Sequence, residues 1–398
     1  MPDRERQDAK SGPAARVARR AAQAVALVRG LPSIAAPRAR RRPGEAPRLR
    51  FVYREIGAPA RYRVQHQIEQ ARLAGLAAQD CPLDGALNPY DLAACDLLYL
   101  YRLELTPRTW PLLVAARRRG IPVVFDSDDL VWDLAERRYG YLDDHYSPRV
   151  VRRILRTIRW TRSLMRRVDA LVFSTPYLAR LAAGASAQPA YVNPNAISEQ
   201  QLRAAEDARR RAAGPDDQVV VIGYFAGHPV HDEDLLSVAP ALCAALDRFP
   251  RARFRTYGSV RLAGPLADPR YAARVEQRPL VGWDELPAHI AGVEINIAPL
   301  IDNPQRRAKS AVKYMEAALV EVPTVAASLE PYQEAIAHGR SGLLAAGVEE
   351  WTAALARLIE SDALRRELGR AARGDVLARH TTAARAANFG AIVAQVLR

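Results

Sequence analysis

A chain of 398 residues predicts two domains of roughly 150 to 200 residues each. With 49% hydrophobic and 26% charged residues, no apolar run near the ~18 residues of a membrane span and three scattered cysteines (Cys81, Cys95, Cys243), the composition excludes wholesale disorder, a fibrous repeat, a membrane span, a disulfide framework and a zinc site. The net charge of +14 is concentrated at the start, where residues 1–50 hold 13 basic and 4 acidic side chains, leaving 45 against 40 for the rest. The body is therefore only mildly basic, which argues against nucleic-acid binding by the folded domains. The start lacks the apolar core of a signal peptide, so a cytoplasmic protein is expected.

Residues 1–47 combine Arg, Ala and Pro and read as a basic tail without a core of its own. Within it Val17, Ala21, Ala24, Val25 and Val28 recur at helical spacing, with Arg16, Arg19 and Arg20 outside that stripe. A helix of that kind can rest on anionic lipid, the alternative to a solvated tail and the one route to a peripheral contact on the inner membrane face. From residue 49 short apolar β runs alternate with helical stretches: strands over 49–53, 96–101, 122–126 and 170–174, helices over 62–74, 107–119 and 148–167. A polar helical linker over 198–218 follows. The alternation then restarts, with strands over 219–224, 253–257, 294–298 and 324–326 and helices over 235–248, 310–320 and 331–337. Alternation of this kind implies parallel strands with crossover helices, hence an α/β protein with two doubly wound, Rossmann-like domains. The expected boundaries are a tail 1–47, a first domain 48–200, a linker 201–217, a second domain 218–375 and a carboxyl-terminal helix 376–398 packing back on the first domain. Ligands in such sheets sit beyond the carboxyl ends of the strands, here in a central cleft between the domains.

The most informative segment is NPQRRAKSAVKYMEAALVEVPTVAAS (303–328). Only three of the 58 basic residues are lysines, and two of them, Lys309 and Lys313, fall within KSAVK. That clustering suggests a need for a compact ammonium rather than a guanidinium fork. On a helix starting near Ser310, the residues Lys309, Lys313 and Glu316 share one face. Such a face offers two cations where backbone N–H groups favour a phosphate, and a carboxylate able to accept from a ribose diol. The alternative is a surface arrangement in which Glu316 pairs with Lys313. In the first domain, FDSDDLVWD (125–133) places Asp126, Asp128 and Asp129 at the end of a strand, where carboxylates can hold a metal, act as acid and base, or cap a helix. IGAPARYRVQH (56–66) sets Gly57 and Arg61 at a strand-to-helix turn, with a solvated helix start as the alternative for Arg61 and Arg63. His228 and His231 share a loop, without a partner at metal-ligand spacing. The absence of G-x-S-x-G, of a P-loop and of G-x-G-x-x-G after the first strand removes hydrolase, kinase-type and nicotinamide readings.

KSAVKYMEAALVEVPTVAAS, followed by Tyr332, Glu334, His338, Gly339 and Ser341 to Leu344, resembles the carboxyl-terminal domain of the GT-B retaining glycosyltransferases related to family 4. GYFAGHPVHDEDL (223–235), VGWDELPAHIAGVEINIAPL (281–300) and YVNPNAI (191–197) match other parts in the expected order. The resemblance implies a metal-independent retaining glycosyltransferase of the hexosyl type without a cofactor. It would move a sugar from a nucleoside diphosphate sugar to a hydroxyl of a glycan or lipid-linked acceptor, in bacterial cell-surface polysaccharide synthesis. Glu316 matches the second glutamate of the family's E-x7-E motif. The first falls on Ala308, so contact with the donor sugar passes to other groups such as Asp302 or Asn303. The diphosphate clamp expected after the first strand of the second domain is missing from 227–234, which assigns donor binding to Gly227, His228, Lys309, Ser310, Lys313 and Glu316. Lys313, Asp128 and Asp129 are then the catalytic candidates, Gly57 and Arg61 the acceptor side, and no metal is expected. The competing readings are an inactive nucleotide-binding scaffold on the same fold and a sugar-nucleotide epimerase.

Overall fold

The computed structural model describes residues 44–398 apart from 55–56, 84–87, 89, 135–141, 144–145, 212–217 and 228. The basic tail up to residue 43 and His228 therefore lie outside the described residues. Two six-stranded sheets, all parallel, account for the strands among the described residues. The first is ordered β2-β1-β3-β4-β5-β6, from β1 (Arg48–Tyr53), β2 (Ala77–Pro82), β3 (Leu97–Tyr101), β4 (Val123–Ser127), β5 (Ala170–Phe173) and β6 (Ala190–Val192). The second is ordered β12-β11-β10-β7-β8-β9, from β7 (Val220–Ala226), β8 (Ala252–Gly258), β9 (Val275–Arg278), β10 (Ile295–Ala298), β11 (Thr324–Ala327) and β12 (Leu343–Ala345). This is the doubly wound α/β architecture with two Rossmann-like sheets.

The strand period of two divides the first domain's core into two layers. Phe51, Tyr99, Val124 and Val172 face one side, where they meet Val64, Ile68 and Ala71 of the first helical segment and Phe389, Ile392 and Val393 of the last helix. That first segment runs through Ala58–Ala60, a wide π segment Arg61–Gln65 and the helix α1 (His66–Leu73). Val52, Leu98, Phe125 and Leu171 face the other side, under α2 (Trp110–Arg118), α3 (Pro148–Met165) and α4 (Pro176–Ala182). The polar stretch after β6 forms α5 (Glu199–Arg211), which does more than link. Ala205 and Ala208 are buried in the second domain's core, which also takes in Tyr62 from the first.

The second sheet carries α6 (Asp232–Arg248), α7 (Leu286–Ala291), the short α8 (Pro304–Arg307), α9 (Val312–Leu319), α10 (Val348–Glu360) and α11 (Asp362–Arg379). The chain then returns to the first domain as α12 (Thr382–Val396). Ile197 and Thr381 pair as an isolated bridge, and Thr382 donates its hydroxyl to Glu69 (2.6 Å). No helix among the described residues is long and apolar enough to cross a membrane.

Candidate active site in the interdomain cleft

The carboxyl ends of β1, β3 and β4 in the first domain and of β7 and β10 in the second meet around the start of α9. That helix begins at Val312, two residues later than the sequence pattern predicts, with Ala311 as its cap and, among the described residues, no side chain accepting from its first N–H groups. The N-terminal N–H groups of a helix so left are positive and unsatisfied, suited to an anion.

Lys313 lies in the first turn of α9. Its ammonium stands 5.7 Å from the centre of the Tyr224 ring and makes no hydrogen bond or ion pair with another described residue. Burial pushes its pKa down, while Glu316 and Asp234 nearby pull it up. One turn on, Glu316 accepts from the Tyr62 hydroxyl (2.8 Å), which itself accepts from Gln201 of α5 (2.8 Å). Burial raises the carboxyl pKa of Glu316, against the Tyr62 bond and the charges of Lys313 and Arg61. A carboxylate has about four acceptor sites, so the Tyr62 bond leaves Glu316 able to take further donors.

Lys309 does not share a helical face with Lys313 and Glu316 as the spacing predicts, because it precedes the first turn. Its ammonium crosses the cleft to Asp129 (2.6 Å), which also accepts from Arg102 (2.8 Å). Burial alone would raise the pKa of Asp129, but Lys309 and Arg102 outweigh it and hold the carboxyl down at about 2. Ser310 accepts from the Asn195 side chain of the first domain (2.8 Å). Asp128 accepts from the Tyr101 hydroxyl (3.0 Å) and faces Arg102 (2.8 Å). Arg102 sits in the left-handed region at φ 45, a conformation costing a non-glycine residue on the order of 1 kcal/mol or more, here held by two carboxylates. Its strain and its position directly after β3 gave no sequence signal.

Asp126 departs from the expected cleft position. It is fully buried on the α1 side of the sheet, gripped by both Nε (2.9 Å) and Nη2 (2.7 Å) of Arg63 and by Gln67 (2.9 Å). Arg63 is likewise no solvated residue at a helix start: its other nitrogen donates to the Asn193 carbonyl (2.6 Å) and to Asn195 (3.1 Å). The pair ties the π segment and β4 to the exit of β6, and so fixes the wall on which Asn195 reaches Ser310. Arg61, four residues after Gly57, lays its guanidinium over the ring of Trp283 from the second domain (4.7 Å). Gly57 opens that turn at φ 128, a conformation only glycine adopts freely.

Nothing in the protein's own packing requires a glycine at 227, where an added Cβ would meet only a Leu280 methyl at 3.6 Å. His231 turns inward to Asp234 (2.7 Å), and burial, reinforced by the charge of Lys313, lowers its pKa to about 4. Asp234 also binds Arg306 (3.0 and 3.1 Å) and the Ile301 N–H (3.0 Å), joining the loop after β7 to the one after β10. Of the stand-ins for the missing glutamate, Asp302 is exposed and paired with Arg307, and Asn303 caps α8 through the Arg306 N–H (2.9 Å). Ala308 itself is completely buried against the core of the first domain. Among the described residues no three His, Cys, Asp or Glu side chains converge as metal ligands.

Residues 239–391, from α6 to α12, match the family described as glycosyl transferase-like. No curated protein matches the sequence. Among solved structures, sucrose-phosphate synthase from Thermosynechococcus elongatus superposes with a TM-score of 0.61 at 15% identity, covering 88% of this chain and 99% of its own. A glycosyltransferase from Rickettsia africae gives 0.61 at 11% identity over 89% and 99%. The fold is GT-B. Anabaena HepE, solved in complex with UDP and glucose, shares it with a TM-score of 0.57 at 15% identity over 88% and 99%. In this GT-B chain Lys313, Glu316 and the start of α9 stand beside the bonds that join the two domains.

Proposed function

We propose that this chain is a retaining glycosyltransferase that transfers a hexosyl group from a nucleoside diphosphate sugar, UDP-linked, to a hydroxyl of a glycan or lipid-linked acceptor in cell-surface polysaccharide synthesis. The observation that carries the reading is the start of α9, uncapped among the described residues, with the ammonium of Lys313 beside it, which no described residue pairs, and Glu316 one turn on, at the junction of two GT-B sheets. The β-phosphate is received by the α9 N–H groups and Lys313, and the ribose hydroxyls by the oxygen of Glu316 that Tyr62 leaves open. As the bond from the anomeric carbon to the β-phosphate oxygen breaks, negative charge grows on the diphosphate. Lys313 and the helix start are in place before that charge appears, which is how preorganised groups lower a barrier. The acceptor hydroxyl attacks from the side the diphosphate leaves, and the departing phosphate oxygen takes its proton. No metal and no cofactor enters this scheme. UDP-glucose complexes of HepE make UDP the first base to try.

The test is calorimetry with UDP, GDP, dTDP and ADP, followed by transfer assays with the sugar of the nucleotide that binds. We expect UDP to bind, Lys313→Ala to lower turnover about a hundredfold, as loss of one well-placed charge-stabilising donor does, and NMR of the product to show the anomeric configuration of the donor. A second reading, an inactive GT-B scaffold, draws on Ala308 in place of a glutamate and on Lys309 being held by Asp129. Failure of every nucleotide to bind would favour it.

A further inference from the structure

Helix α3 carries six arginines and no acidic residue. Its inward side is buried: Leu164 and Met165 pack under the first sheet, while Val151 and Leu155 form a separate small cluster with Leu142. Arg149, Arg152, Arg156 and Arg159 recur at i, i+3, i+7 and i+10, which places them on one outward stripe about 15 Å long. Among the described residues none of these four forms a hydrogen bond or ion pair. The other long surface helices are built otherwise: α5 pairs Arg203 with Glu199, and α11 pairs Arg366 with Asp362, both at i, i+4. Like charges stacked three and four residues apart weaken a helix, so the stripe on α3 is a standing cost that an anionic partner would relieve.

An apolar component lies with the charges. Trp160 is 39% exposed on the same stripe, beneath the guanidinium of Arg156 (5.2 Å). Trp110, 46% exposed, opens α2. The consecutive right-handed crossovers from β3 to β4 and from β4 to β5 put α2 and α3 on one side of the sheet. The Leu105 N–H bonds to the Trp160 carbonyl (3.1 Å) and joins the loop before α2 to α3. Exposed Leu134 follows Asp133, whose carboxylate faces Arg162 of α3. A nucleic-acid duplex would use the arginines and leave the indoles without a role. Two exposed tryptophans and a leucine beside them suit a surface that is anionic outside and apolar beneath, because an indole is stable where one end is dry and the other wet.

We propose that the face formed by α3 and the start of α2 docks on an anionic phospholipid bilayer. This surface is separate from the basic tail before residue 44 and does not depend on the reading of the cleft. The test is co-sedimentation of the full-length chain with vesicles of phosphatidylcholine alone and of phosphatidylcholine mixed with phosphatidylglycerol. Binding is expected to the mixed vesicles only and to weaken with salt. Arg152→Gln/Arg156→Gln should lower the partition coefficient about thirtyfold, the effect of two basic side chains near a charged membrane. Trp160→Ala should weaken binding with its salt dependence unchanged. All three positions are on the surface, so melting temperatures report whether the variants remain folded. Equal binding of wild type and the double variant would assign attachment to the tail and overturn the proposal. So would equal binding to both vesicle types, absence of binding, or capture of a duplex oligonucleotide through the same arginines while vesicles are ignored.

Discussion

His66 donates its Nδ1–H to the carbonyl oxygen of Ala196 (2.8 Å), since that oxygen can only accept, and its ring is neutral. Burial lowers its pKa to about 4, and burial does the same first for His231 and His380. Each folded-state value lies below the ordinary ~6.5, so on acidification the unfolded chain takes up protons before the folded one. Stability is therefore complete above pH ~6.5, falls by about 1.4 kcal/mol per unit for each histidine down to pH ~4, and levels below that. Urea midpoints between pH 7 and 5 should drop for wild type, and His66→Gln, which keeps a donor for Ala196, should drop less steeply by one proton. An unchanged slope would show that His66 does not titrate in this window. Other polar residues of the same segment were partly visible in the sequence. Arg63, Gln67 and Gln70 fall on one helical stripe beside Val64, Ile68 and Ala71, a polar row facing inward. Their partners Asp126 and Asn193 were not visible, because pairing over 63 and 123 residues has no local signal. The rule that strand ends face the cleft misplaces Asp126, whose side chain alternates with Phe125 and so enters the layer under α1.

At the scale of elements, the strands legible in the sequence are the eight central ones, and the four that are not, β2, β6, β9 and β12, are the outermost strands of the two sheets. A central parallel strand is covered on both faces and reads as an unbroken apolar run such as LLYLY or VVIGYFA. Edge strands have less to bury, and AAQDCP or VEQR carries no such run. Helix packing adds a constraint that propensity conceals. Gly369 lies inside α11, where alanine would ordinarily gain about 1 kcal/mol. A Cβ there would stand 1.9 Å from the carbonyl oxygen of Glu321, the residue in the left-handed turn after α9. Backbone cannot yield as a side-chain tip can, so the clash outweighs the propensity. Gly369→Ala should lower the urea midpoint by the equivalent of about 1 to 3 kcal/mol, the usual effect of overpacking. A rise in the midpoint would mean that α11 shifts away from α9 without cost.

For the whole molecule, the two domains are held together by Tyr62 on Glu316, Asn195 on Ser310 and Lys309 on Asp129, with α12 strapped across from the second domain to the first. Every one of these cross-cleft bonds ends on or beside α9, so Glu316, which we propose for the ribose, and Ser310 and Lys309 next to the proposed phosphate site are also groups that close the cleft. Lys313 is the exception, with no partner among the described residues to give up. For Lys309 the contest is direct: Asp129, ionised down to about pH 2, holds its ammonium at 2.6 Å and would repel an incoming phosphate. Both side chains are partly exposed, which limits their pairing to about 1 kcal/mol. Asp129→Asn removes the competitor's charge, keeps its shape and leaves Arg102 paired with Asp128. Calorimetry should then show UDP binding about fivefold tighter, the equivalent of that pairing. If the ion pair instead serves to hold the domains together around the donor, the same variant will bind UDP more weakly, and the closure of the cleft will rest on the remaining contacts, Tyr62 on Glu316, Asn195 on Ser310, Arg61 on Trp283 and Gln305 on the Leu130 carbonyl among them.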